Sequence, residues 1–228
     1  NNYNRRLGQW RNAGEAMSLI SSKVSEQNGN IVLSFEKEME IGATYSLTYK
    51  INSEGKILVS ADYAPTKEGL PLMPKFGMKM LVNPKMDKVT WYGRGVYENY
   101  PDRKSSEFIG EYSLPLDDFV VNYPAPQENG NRCDVRWMTF SDGKLNLRVE
   151  GLQPLCFRAW PWMEGDIEKA GHPFELPDRD FINVNIDLNI HGVGCNDGWG
   201  AQTLEKYTID ANKPYSYGFI LSCTEEVK

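Results

Sequence analysis

Phe181-Ile182-Asn183-Val184-Asn185-Ile186-Asp187-Leu188-Asn189-Ile190 carries the strictest pattern in the chain. Ile182, Val184, Ile186, Leu188 and Ile190 fall on one side of an extended backbone, and Asn183, Asn185, Asp187 and Asn189 on the other. Successive side chains of a strand point to opposite faces, so this period of two predicts a β-strand. An apolar face opposite an amide-rich one predicts a sheet with one side on the core and the other toward water.

The same period recurs outward from that strand. Tyr45, Leu47, Tyr49 and Ile51 alternate with polar neighbours, Asn52-Ser53-Glu54-Gly55 turns the chain, and Ile57, Val59, Ala61 and Tyr63 return it as a hairpin. Ile31, Leu33 and Phe35 follow the pattern, as do Phe76, Met78 and Met80, then Val89 and Trp91. Strands resume over 135–140, and Ser141-Asp142-Gly143 turns into Leu145, Leu147 and Val149. A last strand over 214–223 places Tyr215, Tyr217, Phe219 and Leu221 on one face. The stretch 93–132, rich in Pro, Asn, Tyr and Asp, reads as loop, yet it is too aromatic for a disordered linker. Helical spacing occurs once, in Leu7, Trp10, Ala13, Met17 and Ile20; Gly8 and Gly14 weaken it and predict a short or distorted N-terminal helix. About ten strands joined by hairpins predict one all-β domain, a large antiparallel sandwich.

Composition narrows the function classes. The 228 residues suit one large all-β domain, with 40% hydrophobic and 25% charged residues as in soluble globular proteins. A net charge of -6 and the lack of any basic run argue against a nucleic-acid partner. No stretch approaches the roughly 18 consecutive apolar residues of a membrane span. Both a cytoplasmic and a periplasmic location stay open. The chain opens on the polar run Asn1-Asn2-Tyr3-Asn4-Arg5-Arg6, which reads like the middle of a protein. Cys133, Cys156, Cys195 and Cys223 are too far apart for a zinc site with only His172 and His191 to help, and read as buried free thiols; sequence leaves a disulfide open.

Three segments together resemble one family. They are Trp91-Tyr92-Gly93-Arg94-Gly95-Val96-Tyr97-Glu98-Asn99-Tyr100-Pro101-Asp102-Arg103, Pro124-Ala125-Pro126-Gln127-Glu128-Asn129-Gly130-Asn131-Arg132, and Asn185-Ile186-Asp187 leading into Gly192-Val193-Gly194-Cys195-Asn196-Asp197-Gly198-Trp199. Their order and spacing resemble the C-terminal, small-chain domain of the retaining β-galactosidases of glycoside hydrolase family two, and Trp10-Arg11-Asn12-Ala13-Gly14 is similar to that family's helical Trp-x-x-Ala-Gly segment. The resemblance spans residues 10–223. It implies a supersandwich of the galactose-mutarotase-like type, with the chain, 1–228, forming a single domain that lacks its first strands. It also implies a TIM-barrel partner, in the same chain or in a large subunit, that holds the two catalytic glutamates together with magnesium and sodium. No cofactor or metal is implied for this chain. The substrate would be a terminal β-galactoside and the full-length protein a homo-oligomer.

Retaining glycoside hydrolysis needs two carboxyl groups about 5 Å apart. Glu98 and Asp102 tempt, but Asp102 beside Arg103 reads as an ion pair holding a turn, and Glu128-Asn129-Gly130 reads as loop scaffolding whose carboxylate and amide satisfy backbone N–H groups. No catalytic residue is assigned. Trp199, in a Gly-rich loop, either caps the sandwich end or offers a contact surface; the resemblance implies a stacking platform for the sugar next to the galactose. Asn196 and Asp197 are expected to shape that loop. Trp160 and Trp162 flank Pro161 and read as packing at a sheet edge or against the barrel. Histidine motifs of mutarotases are not matched, so an epimerase is disfavoured. Two functions follow: an accessory domain that completes a β-galactosidase pocket, or a carbohydrate-binding module acting without a catalytic domain.

Overall fold

A computed structural model describes residues 3–194, 197 and 199–225. Eleven strands are present among them: β1 (Ser18–Gln27), β2 (Asn30–Met39), β3 (Ala43–Ile51), β4 (Ile57–Pro65), β5 (Lys75–Val82), β6 (Lys88–Gly95), β7 (Phe108–Pro115), β8 (Arg132–Ser141), β9 (Leu145–Trp160), β10 (Ile182–Ile190) and β11 (Tyr215–Glu225). All pairings are antiparallel, and the order is β1-β2-β3-β4-β11-β9-β8-β6-β7, with β5 and β10 branching from β9. The large antiparallel β-sandwich expected from period two is the architecture observed.

The branch explains the sandwich. β9 is 16 residues long; Leu145–Gly151 pairs with β11, whereas Cys156–Trp160 pairs with β10. Between those halves the strand jogs, since β8 meets Glu150 at Trp137 but Leu155 at Val135. A Cβ at Gly151 would lie 2.3 Å from the Gln153 carbonyl, so the jog requires glycine. Where β9 leaves β11, the Gln153 side chain takes over: its Nε2 donates to the Gly218 carbonyl at 3.1 Å and its Oε1 accepts from the Gly218 N–H at 3.3 Å.

The two halves then face each other. Phe76 of β5 meets the rings of Tyr45, Tyr63, Tyr215 and Tyr217 at 5.3–6.3 Å between centroids, and the Tyr217 hydroxyl donates to the Ile186 carbonyl at 3.2 Å. Ile182, Val184 and Ile186 are buried in the same core as Val59, Trp91, Phe140 and Phe157. Such aromatic packing adds roughly 0.5–1.5 kcal/mol per pair beyond area burial.

Three local expectations are corrected. The N-terminal helix is α1 (Tyr3–Leu7), followed by a 3-10 turn at Gly8–Trp10; Ile20 lies in β1. Trp10, Ala13 and Met17 still pack on the core, through turns in place of helix. Two further short helices occur, α2 (Leu116–Phe119) and α3 (Glu164–Lys169). The stretch read as loop over 93–132 contains β7 and α2. β7 is an edge strand with Phe108 and Ile109 exposed, so its sequence lacks the clean alternation of a half-buried strand.

Candidate functional site

The loop that leaves β10 carries Trp199, which is 96% exposed. Its root is fixed on two sides. Asp102 accepts the Val193 and Gly194 N–H groups at 3.2 and 2.5 Å, although it lies some 90 positions earlier in the chain. Thr203 Oγ1 lies 3.0 and 2.8 Å from the Gly192 and Gly194 carbonyls, and the Gly192 N–H donates to the Tyr207 carbonyl at 2.8 Å. A Cβ on Gly192 or Gly194 would come within 2.8 Å of the Asp102 carboxyl group, so both glycines are demanded by that contact. Farther out, Asp197 Oδ1 accepts the Trp199 and Ala201 N–H groups, a side-chain turn that holds the Trp199 backbone. Those hydrogen bonds also hold the Asp197 carboxyl below the usual carboxylate range.

Asp102 is itself held by the Glu98–Arg103 segment. Glu98 accepts from Arg103 at 2.5 Å, from the Gly130 N–H at 2.7 Å and from the Tyr123 hydroxyl. Asn99 is fully buried; its Oδ1 accepts the Cys133 N–H at 2.8 Å, and its backbone exchanges hydrogen bonds with Asn131. Asn129 accepts the Val121 N–H and donates to the Gln127 carbonyl. Arg132 donates to the Gly130 carbonyl at 2.9 Å and lies over the Phe119 ring at 4.2 Å, where burial presses its pKa down to about 10. Buried loop backbone must find partners, and here polar side chains, from Asn99 and Asn129 to Glu98 and Arg132, supply them. The three sequence segments therefore form one hydrogen-bonded platform beneath the Trp199 loop.

Beside this platform lies a buried polar cluster on the outer face of β9 and β10. Most of the amide face of β10, expected to meet water, is covered: Asn183, Asn185 and Asp187 are at most 3% exposed, whereas Asn189 is exposed as expected. Arg158 organises it, pairing with Glu128, with Glu164 at 2.6 Å and with Asn185 Oδ1 at 3.1 and 3.2 Å while lying 3.3 Å from the Trp160 ring centre. Asn183 donates to the Trp162 carbonyl and to Glu164. Burial opposes ionisation of Glu164, but Arg158 and Lys75 outweigh it and lower its pKa. At Asp187 burial wins, raising the carboxyl to about 6. Lys75 is driven the other way, its pKa lowered chiefly by burial and next by Arg158.

Comparison with known proteins identifies the assembly of segments. Residues 1–221 match the family described as "Beta galactosidase small chain". The chain belongs to that family. The small-chain domain is 32% identical over 223 residues to a β-galactosidase of Priestia megaterium, covering 97% of this chain and 22% of that protein. It is 33% identical over 211 residues to one from Lactobacillus delbrueckii subsp. bulgaricus, covering 91% and 21%. It thus spans about a fifth of the length of the curated relatives it matches. Among solved structures, a galactose 1-epimerase from Lactobacillus acidophilus NCFM superposes with a TM-score of 0.46 at 8% identity, over 90% of this chain and 66% of that one.

Within the small-chain domain, the residues singled out from sequence have distinct fates. Trp199 and Asp197 lie together on the exposed loop; Asn196 lies outside the described residues, as does Cys195. Asp102 does not pair with Arg103: the guanidinium takes Glu98, leaving Asp102 for the loop. Glu128 pairs with Arg158 in place of backbone N–H groups, and Gly130 turns to Glu98 instead. Trp160 is buried, donating to the Asn129 carbonyl at 3.0 Å. Cys133 and Cys156 are buried free thiols, whereas Cys223 is exposed, because β11 runs past the core at its end. Thr203, Arg158 and Lys75 were missed. The glycines at 192 and 194 were the available sign of a close partner, but nothing local names Asp102 as that partner. Among the described residues no group of three or more His, Cys, Asp or Glu is arranged to hold a metal, and no helix is long and apolar enough to cross a membrane.

Proposed function

We propose that this chain completes the sugar pocket of a β-galactosidase, with Trp199 as a wall on which a sugar ring stacks. The observation that carries the reading is a nearly fully exposed indole on a loop held at its root by Asp102 and Thr203 and near its tip by Asp197. Leaving a large apolar ring in water has no packing benefit, whereas a ring carried on an anchored backbone loses less entropy on binding than one on a free loop. The flat indole suits the C–H face of a pyranose, and its fixed backbone sets the approach angle.

On this reading bond cleavage belongs to a TIM-barrel partner and its metal ions. The acidic residues of the platform are committed elsewhere: Glu98 to Arg103 and Gly130, Asp102 to the loop, Glu128 to Arg158. The chain supplies shape, a stacking surface and a firm base for both, and its outer surfaces support domain or subunit assembly.

The test is Trp199→Ala in the assembled natural enzyme. Loss of about 1–2 kcal/mol of stacking should raise KM for a galactoside roughly tenfold without changing thermal stability, and Trp199→Phe should restore most of it. Unchanged KM and kcat in Trp199→Ala would sink the proposal.

A further inference from the structure

Two cysteines that the sugar pocket does not use stand together beneath the Trp199 loop. Cys133 of β8 is 1% exposed and Cys156 of β9 is 5% exposed, and their sulfurs lie 3.5 Å apart. Both are free thiols. With Tyr100 and Ile190 they form a small core of their own, apart from the main one. Tyr100 lies just before Asp102 and Ile190 just before Gly192, so the pair sits between the two segments that meet at the root of the loop.

A bulge brings the thiols together. Counting from the Arg132–Phe157 pair sets Cys133 opposite Cys156, whereas counting from Val135–Leu155 sets Asp134 there. β8 therefore carries one extra residue, and Asp134 absorbs it with a φ of 53°. Arg94 and Lys104 hold the Asp134 carboxylate, at 2.5 and 2.9 Å. The Cys133 N–H donates to Asn99 Oδ1 at 2.8 Å, so it is not spent on a ladder bond to Cys156. Opposed residues without ladder bonds approach to about 4.5 Å between Cα atoms, inside the roughly 4.4–6.8 Å that a disulfide spans.

The surroundings tolerate the loss of both thiol hydrogens. The Asn99 carbonyl, 3.5 Å from Cys133 Sγ, already accepts from Asn131 Nδ2 at 2.7 Å. Asn131 Nδ2 also lies 3.3 Å from Cys133 Sγ, whose lone pairs survive in a disulfide. No polar group is stranded when the S–H bonds go. The hydrogen bond to Cys133, and then burial, push the Cys156 thiol up, so the closed pair is inert and reacts through local opening.

We propose that Cys133 and Cys156 are a modification site, an oxidisable dithiol that a small disulfide of the glutathione class closes into a cross-strand disulfide, locking the platform under the Trp199 loop. One cysteine, as thiolate, attacks glutathione disulfide, forms a mixed disulfide and releases one glutathione thiolate. The second cysteine thiolate then displaces the other glutathione. One S–S bond breaks and one forms, and the two electrons and two protons of the protein thiols leave on two glutathione thiols. Neither step involves a galactoside, so the chemistry is independent of the β-galactosidase reading.

The test treats the full-length natural protein with glutathione disulfide under native conditions, caps remaining thiols with iodoacetamide in denaturant, and maps the peptides by mass spectrometry. The exposed Cys223 reports that the oxidant has reacted. The expected product joins the Cys133 and Cys156 peptides, lighter than their sum by two hydrogens and separated again by dithiothreitol. Amides of 155–157 should exchange at least about tenfold more slowly in the linked protein, because β8 and β9 can no longer part freely. Cys156→Ser should abolish the link and the slowing together. Capped thiols at both positions in the wild type, once Cys223 has reacted, overturn the proposal. So do glutathione left on either cysteine, a link from either to Cys195 or Cys223, and a link that forms only in denaturant. Unchanged exchange in the linked protein, or slowing that persists in Cys156→Ser, overturns the lock.

Discussion

Replacing Asp102 by alanine removes both acceptors at the root of the Trp199 loop. The bonds lost are those from the Val193 and Gly194 N–H groups, at 3.2 and 2.5 Å. A hydrogen bond to a charged acceptor contributes about 1.5–3 kcal/mol. Val193 is exposed and Gly194 half-buried, so the low end applies to each. The local opening free energy should then fall by about 3 kcal/mol, roughly a hundredfold in population. Hydrogen exchange in the assembled enzyme reads this directly. The Val193 and Gly194 amides should exchange roughly a hundredfold faster, while Gly192, bonded to Tyr207, serves as an internal reference. A second substitution checks the geometry: Gly194→Ala, whose Cβ would lie 2.8 Å from Asp102 Oδ2, should loosen the loop in the wild type yet be tolerated beside Asp102→Ala. Unchanged exchange at both amides in Asp102→Ala would refute the anchoring argument.

Two further expectations concern the buried polar cluster. The Asp187 carboxyl, raised by burial from 3.8 to about 6, binds its proton more tightly when folded, so it contributes nothing below pH 4 and opposes folding above pH 6. Denaturant titrations should show Asp187→Asn gaining about 3 kcal/mol on the wild type between pH 4 and pH 7, and a pH-independent difference would contradict the burial. Arg158→Leu should cost about 3–5 kcal/mol, since Glu128, Glu164 and Asn185 would lose their shared cation; a midpoint within 1 kcal/mol of wild type, by the same titration, would contradict it.

Period two made most strands legible, because alternation records which face is buried. β10 showed the limit of that rule. Its apolar face was read correctly, but its amides looked solvent-facing because alternation reports polarity, and polarity does not distinguish water from Arg158 and Glu164. β1, with Leu19, Ile20 and Val24 exposed among serines, left no readable face at all. The second half of β9 was hidden differently: Gly151 and Pro154 look like strand breakers, and only the jog against β8 accommodates them. At the candidate site, Trp199 stood out by its setting among glycines. Asp102 did not, because its partners are backbone groups brought near by topology, and an acid next to Arg103 invited the shorter explanation.

The jog in β9 has a consequence for how the domain can be divided. One strand lies inside both halves of the sandwich, between β8 and β11 in one and between β8 and β10 in the other, and a single glutamine amide stands in for the peptide group missing where it crosses. Neither half has a complete set of neighbours without it, so the domain has no internal seam. A cut on either side of Gln153 would open both layers at once, and the loop bearing Trp199, which joins β10 to β11, would lose its footing at both ends.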